Sequence, residues 1–382
     1  MGRISYFYWN IIEMKIVADA HIPYLKEYFG HAGELVFMPG RAISSHDVKD
    51  ADVLLVRSIT HVDENLLSNS RVKFVGSVTA GADHLDTTWL DKAGISWCVA
   101  TAFNAPPVAD YVVSVIAALQ TKHHLLEKKQ GKIAVIGVGH VGRLVVERLQ
   151  QLNYDIVMCD PLRAQYETDF FSTPLEKIAD VDAVTLHVPL VKLGEHPTFH
   201  FINEDFLKRQ KKDCVLINAA RGAVVNSKAL QHFGAHLHWC LDVWEHEPNI
   251  NLSILEKTLI ATPHIAGYSI QSKIRGVEMI YRAACEKNII PHQTISPISM
   301  PTQQLLLTEK NLDWRQVVLS AFNPMSITDM MQNLILPVAE HGRLFDEMRH
   351  PFNYRSEFSF IELKGGELKK EDEVVLKMLG FK

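Results

Sequence analysis

Cysteine is scarce. The 382 residues contain 5, Cys98, Cys159, Cys214, Cys240 and Cys285, with no C-x-x-C spacing among them. That argues against a disulfide framework or a zinc ribbon and for reduced thiols in a cytosolic protein, each acting as a small buried hydrophobe. No metal site is expected. No apolar run reaches the ~18 residues that a membrane span needs. The most apolar stretch, Val108 to Leu119, is broken by Asp110 and reads as a buried helix. Positive charge is not in excess either: 39 Lys and Arg stand against 44 Asp and Glu, a net −5. That argues against a broad nucleic-acid surface but leaves room for a local pocket for a small anion. With 47% hydrophobic and 22% charged residues, the chain can bury a sizeable core. At roughly 150 residues per domain its length predicts two to three domains. Histidine is plentiful, at 19 residues, so a functional histidine has to be chosen by its neighbours.

The first thirteen residues look unlike the rest of the chain, and a compact strand starts at Met14. We expect the native start there, with residues 1–13 as an extension that lacks the marks of a signal peptide. Short β-rich runs then alternate with amphipathic segments. The runs are Val53 to Val56, Lys73 to Val75, Ile133 to Ile136, Ile156 to Cys159, Ala183 to Val188, Val215 to Asn218 and His238 to Val243. Such alternation predicts parallel βαβ units. Long helices are predicted over Val108 to Lys129 and about Ser269 to Asn288, bracketing a central domain. Pro291 and Pro297 mark a linker. Beyond it, Gln304 to Leu307 and Glu357 to Leu363 read as strands of a small last domain.

The strand Lys132 to Ile136 runs into Gly137-Val138-Gly139-His140-Val141-Gly142 and then a helical pattern to Leu152. G-x-G-x-x-G alone is a weak signal. Here it follows a strand and opens a helix, and the next strand ends at Asp160, 18 residues beyond Gly142. Gly137 allows the tight turn, Gly139 lets backbone approach a pyrophosphate, and Gly142 lets helix and strand pack closely. The helix start offers free N–H groups and a positive dipole end. Asp160 can accept both ribose hydroxyls and would repel a 2′-phosphate, which favours NAD over NADP.

Three later β-like runs end in Ala220-Arg221-Gly222, Glu247-Pro248 and Pro263-His264. Ligands of open α/β sheets bind outside the carboxyl ends of the strands. Arg221 can hold a carboxylate through two parallel hydrogen bonds. His264 can take a hydroxyl proton while hydride leaves the same carbon, with Glu247 orienting the imidazole. Each residue alone has an ordinary structural explanation; their joint appearance after a dinucleotide fingerprint points to oxidation of a 2-hydroxy acid.

In these motifs and their order the chain resembles the NAD-dependent D-2-hydroxyacid dehydrogenases. The resemblance implies an α/β architecture of two Rossmann-like, doubly wound parallel-sheet domains plus a small α+β C-terminal domain. The implied parts are a substrate domain (14–110 and 268–290), an NAD-binding domain (111–267) and a dimerisation domain (291–382). It implies Arg221, Glu247 and His264 as catalytic. It implies Gly137, Gly139, His140, Val141, Gly142, Asp160, Val188, Ala219, Ala220, Arg221, Asp242 and Gly267 beside NAD. Val188 stands where the family often has a hydroxyl, so packing is expected there instead of a hydrogen bond. Further matching segments around Ser58, Thr79 and Tyr268 imply substrate contacts by those three residues, in a family member acting on a phosphorylated hydroxy acid. For the phosphate, Arg57, Ser58 and Thr79 are candidates, as are Arg349 or Arg355 reaching in from a partner subunit. The rival expectations are a dehydrogenase of another phosphorylated hydroxy acid and a non-enzymatic NAD-sensing protein.

Overall fold

The computed structural model describes residues 14–127, 131–293, 295, 298–335 and 340–382. The expected extension 1–13 and the linker residue Pro297 lie outside the described residues. The chain forms two compact units. One runs to Phe103 and takes in Lys273–Ile298; the other comprises Asn104–Ser272 and Ser299–Lys382.

The first unit holds a five-stranded parallel sheet. Its strands are β1 (Met14–Asp19), β2 (Gly33–Met38), β3 (Val53–Val56), β4 (Phe74–Ser77) and β5 (Ser96–Val99), in the order β2-β1-β3-β4-β5. β3 and β4 are buried throughout, as continuous apolar runs with helices on both faces should be. β2 and β5 form the edges and are only partly buried. Their mixed composition hides them from a search for apolar runs.

The second unit holds six parallel strands. These are β6 (Lys132–Ile136), β7 (Asp155–Cys159), β8 (Ala183–Leu186), β9 (Val215–Asn218), β10 (His238–Leu241) and β11 (Ile260–Ala261), in the order β11-β10-β9-β8-β6-β7. Both sheets reverse direction beside their first strand, the doubly wound pattern in which ligands sit at the reversal.

The Ala105–His123 helix is buried almost all round, with Pro106 and Pro107 in its first turn, where a missing N–H costs nothing. It stops short of the expected Lys129 because His124 turns left-handed (φ 54°) and caps it. Its Asp110 is buried: Oδ2 accepts the Phe358 N–H, and Arg148 lies 3.8 Å from Oδ1. Burial pushes the Asp110 carboxyl up to about 7, against the pull of Arg148 and that N–H. The folded chain then holds a proton that the unfolded chain releases near pH 4. This contribution to stability is present below that pH and is lost as pH rises towards 7. The Tm difference between Asp110→Asn and the parent should therefore shift in favour of the variant between pH 5 and 8. A pH-independent difference would contradict this.

Residues beyond Ser299 do not stand apart. β12 (Gln303–Leu312) and β13 (Ile361–Leu368) pair in parallel with each other. Leu312, Val318, Phe358 and Phe381 share one core with Val113 and Ala117 of the long helix. Met331, Ile335 and Phe345 enter the core of the six-stranded sheet. By packing, the chain thus forms two units where the sequence reading had three parts.

All five cysteines are free thiols. Burial pushes Cys159 up to about 11 and Cys214 up to about 12, so neither is a nucleophile near neutral pH. Cys98 and Cys285 are only partly buried, less than expected. Among the described residues, no helix is long and apolar enough to cross a membrane.

Candidate active site

The fingerprint turn lies at the reversal point of the six-stranded sheet. Gly137 is left-handed (φ 85°), and a Cβ there would lie 2.6 Å from the His187 carbonyl oxygen and 2.7 Å from Val188 Cγ1. Val188 therefore packs on the turn through its methyl groups. The helix begins at His140, earlier than expected, so Gly142 sits inside its first turn. There a Cβ would collide with the Gly137 carbonyl. Around Gly139 a Cβ would meet nothing within 4 Å, and Gly139 and His140 are exposed while Val141 is half-buried. Asp160 directly follows β7; its carboxylate accepts the Val138 N–H (2.8 Å) and the Arg163 N–H (2.9 Å).

The expected Glu247–His264 pair is present. Glu247 Oε2 lies 2.7 Å from His264 Nδ1, and Glu247 Oε1 accepts the Trp244 N–H at 2.7 Å. Burial opposes charge on Glu247, but His264, Arg349 and the Trp244 N–H outweigh it and hold the carboxyl below its ordinary range. His264 has a left-handed backbone (φ 57°), a strained conformation of the kind that marks functional positions. The Arg221 loop is built by Asn218, whose side chain accepts the Ala220 N–H and donates to the Arg221 carbonyl. A Cβ on Gly222 would collide with the Trp244 backbone, so this loop lies directly on the one that carries Glu247. Arg221 Nη1 donates to the Ala220 carbonyl, and Ala219 borders this loop half-buried.

Asp242 is fully buried. Its Oδ1 accepts the Thr262 hydroxyl (2.6 Å) and the Ile265 N–H (2.8 Å), and its Oδ2 accepts the Ala266 N–H (3.0 Å). It shapes the 262–267 loop from beneath, a role the sequence reading, which put it beside the cofactor, did not contain. Gly267 packs on Asn104 so closely that a Cβ would strike its amide nitrogen. A second carboxylate–imidazole pair, Glu245 with His200 at 2.7 Å, was also not anticipated. There the other Glu245 oxygen accepts the Ser227 N–H and His200 stacks on Phe199, which marks a packing role.

The C-terminal arginines depart from expectation. Arg355 donates to the Pro107 and Ala266 carbonyls, both at 2.8 Å, and lies over the Phe322 ring. Both bonds leave from Nη2, within its own chain; its buried Nη1 has no partner among the described residues. Arg349 also serves its own chain: its Nη2 donates to the Tyr268 hydroxyl at 2.6 Å.

In the other unit, Arg57 binds buried Asp19 through Nε (2.8 Å) and Nη2 (3.3 Å), joining the ends of β1 and β3. Its charge is thus matched, which weakens it as a phosphate ligand. Ser58 beside it is exposed. Thr79 Oγ1 donates to the Gly81 carbonyl and lies 2.8 Å from Ser77 Oγ, which lies 2.8 Å from His84 Nε2. With the Thr79 proton spent on Gly81, this chain is satisfied if His84 donates to Ser77 and Ser77 to Thr79.

Residues 105–266 match the family described as D-isomer specific 2-hydroxyacid dehydrogenase, NAD binding domain. The fold superposes on cofactor-bound 3-phosphoglycerate dehydrogenase of Entamoeba histolytica, with TM-score 0.63 and 21% identity over 75% of this chain and 99% of that one. It also superposes on D-lactate dehydrogenase of Aquifex aeolicus, with TM-score 0.60 and 24% identity over 72% and 96%. These two likenesses are of fold. Fold, fingerprint turn and Glu–His pair together define an NAD-binding dehydrogenase of the D-isomer specific 2-hydroxyacid class. Erythronate-4-phosphate dehydrogenase of Coxiella burnetii is 44% identical over 92% of this chain and 95% of its own. That of Cellvibrio japonicus is 38% identical over 97% and 100%. The chain belongs to the erythronate-4-phosphate dehydrogenase family.

Proposed function

We propose that this protein oxidises 4-phospho-D-erythronate with NAD to (R)-3-hydroxy-2-oxo-4-phosphobutanoate, a step of pyridoxal 5′-phosphate (vitamin B6) synthesis. The observation that carries the reading is the 2.7 Å Glu247–His264 bond, in a chain 44% identical nearly end to end to a protein of that name.

The residues fit the cofactor. Open space over Gly139, at the start of a twelve-residue helix, leaves the first N–H groups accessible to a pyrophosphate. When bound, NAD supplies the hydride acceptor. Asp160, already anchored by two N–H groups, keeps lone pairs for a ribose and repels a 2′-phosphate. Asp160→Ser is expected to lower kcat/KM for NAD about 10- to 100-fold, the worth of a hydrogen bond to a charged group, and to shift preference towards NADP. An unchanged NAD:NADP ratio would contradict the assignment.

Ionised Glu247 holds the proton of neutral His264 on Nδ1, which leaves the Nε2 lone pair for substrate. In the proposed step the C2–H bond gives up its electron pair as hydride. His264 Nε2 takes the hydroxyl proton, and the C2–O bond becomes a carbonyl. The charge that develops on the imidazole is balanced by Glu247 at 2.7 Å. Arg221 would orient the substrate carboxylate so that hydride departs from one face.

We further propose a cytoplasmic homodimer. Among the described residues β12 pairs with no strand but β13, which supports this, since it leaves the outer edge of β12 open. So does exposed Leu306 on β12. Sedimentation at micromolar concentration should give twice the chain mass. The catalytic reading is tested by NADH formation with a panel of phosphorylated and plain 2-hydroxy acids. NAD binding without turnover on any of them would favour a sensor.

A further inference from the structure

Resting on the proposed function, the substrate carries two anionic ends, and Arg221 accounts for one. The second requires a cation beside the Glu247–His264 pair. Of two other arginines considered for it, Arg57 is spent on Asp19; Arg355 gives Nη2 to two main-chain carbonyls and, although its buried Nη1 has no partner among the described residues, burial works against its charge.

Arg349 differs. Its side chain is 13% exposed, and it reaches Tyr268, 81 residues earlier in the chain. The guanidinium lies over the Tyr268 ring, 5.3 Å from the centroid, and Nη2 donates to its hydroxyl. Asp346 is 3.5 Å from Nη1, long for a hydrogen bond, and the buried Nε has no partner among the described residues. A buried cation with an unmatched donor is costly unless an anion completes it. Its charge is nonetheless secure: burial opposes it, but Tyr268 and the carboxylates of Glu247, Asp346 and Asp242 outweigh that effect. An arginine has no acceptor, so a Tyr268 oxygen that accepts from Arg349 must send its own proton elsewhere.

We propose that Arg349, fixed on Tyr268, is the specificity-determining residue that binds the substrate phosphate. The C-terminal segment thereby completes the active site of its own chain. Arg349, held against Tyr268, supplies a fixed charge and a donor suited to a tetrahedral dianion.

The test compares the parent with Arg349→Gln and Arg349→Lys on 4-phospho-D-erythronate and on unphosphorylated D-erythronate. Binding of inorganic phosphate to the NAD-loaded protein is followed separately by calorimetry. Arg349→Gln should lose about 100-fold in kcat/KM on the phosphorylated acid, the scale of a charged hydrogen bond, and little on the plain one. It should also lose phosphate binding, with partial recovery in Arg349→Lys. Equal losses on both acids, or undiminished phosphate binding, would overturn the proposal. Asp346→Asn keeps Arg349 and removes its competing carboxylate, so phosphate should bind more tightly; weaker binding would also overturn it. If the parent oxidises no phosphoerythronate, the proposed function fails, while the phosphate arm still decides whether Arg349 binds phosphate.

Discussion

His264→Asn should lower kcat about 10³- to 10⁴-fold while NAD binding stays near that of the parent, because a general base contributes on this scale. Only the side chain that takes the proton is lost; the fingerprint turn lies elsewhere in the unit. Glu247→Gln should cost a comparable factor by a different route. A glutamine can still meet His264 Nδ1, but it carries no charge to stabilise the imidazolium, and burial makes that charge matter more. Steady-state kinetics with NAD titrations separates these effects. A His264→Asn enzyme with a tenth or more of the parent kcat would remove His264 from the mechanism.

The largest stability effect is expected at Asp242. Asp242→Ala strands the buried Ile265 and Ala266 N–H groups and leaves the Thr262 hydroxyl only Tyr111 as a partner, around a residue that is 1% exposed. Breaking such a buried network costs about 3–5 kcal/mol. In a unit of this size that lowers Tm by roughly 10 °C. Activity should fall as well, because the same loop carries His264, whose N–H donates to the Asp242 carbonyl at 2.7 Å. Calorimetry with the NAD-free protein would check this. A Tm within 2 °C of the parent would mean that the loop is held by other contacts.

Much of this was legible in the chain because the signals are local. β1, β3 and β9 follow short β-rich runs with the bounds that the runs suggest. The fingerprint turn, Asp160, Glu247 and His264 each announce themselves by what stands next to them. Other features have no local signal. β2 and β5 sit at sheet edges, where one-sided burial leaves a mixed composition. Asp242 looks like a ligand-facing acid at a strand end, and only the folded 262–267 loop turns it into a strut. Arg349 and Tyr268 meet across 81 residues, and no spacing rule reaches that far. The C-terminal segment has its own strands and helices, so it reads as separate. Its apolar side chains nonetheless belong to the core around Val113 and Ala117.

The central claim is substrate identity, and the most direct measurement is the ratio of kcat/KM for 4-phospho-D-erythronate to that for 3-phosphoglycerate, with NAD, on the unmodified protein. The two acids share the carboxylate, the 2-hydroxyl and the phosphate and differ in the CHOH unit between them. A site whose polar groups are built for that extra hydroxyl should discriminate by at least about 100-fold. We predict that preference for 4-phospho-D-erythronate. A ratio near or below one would contradict the account.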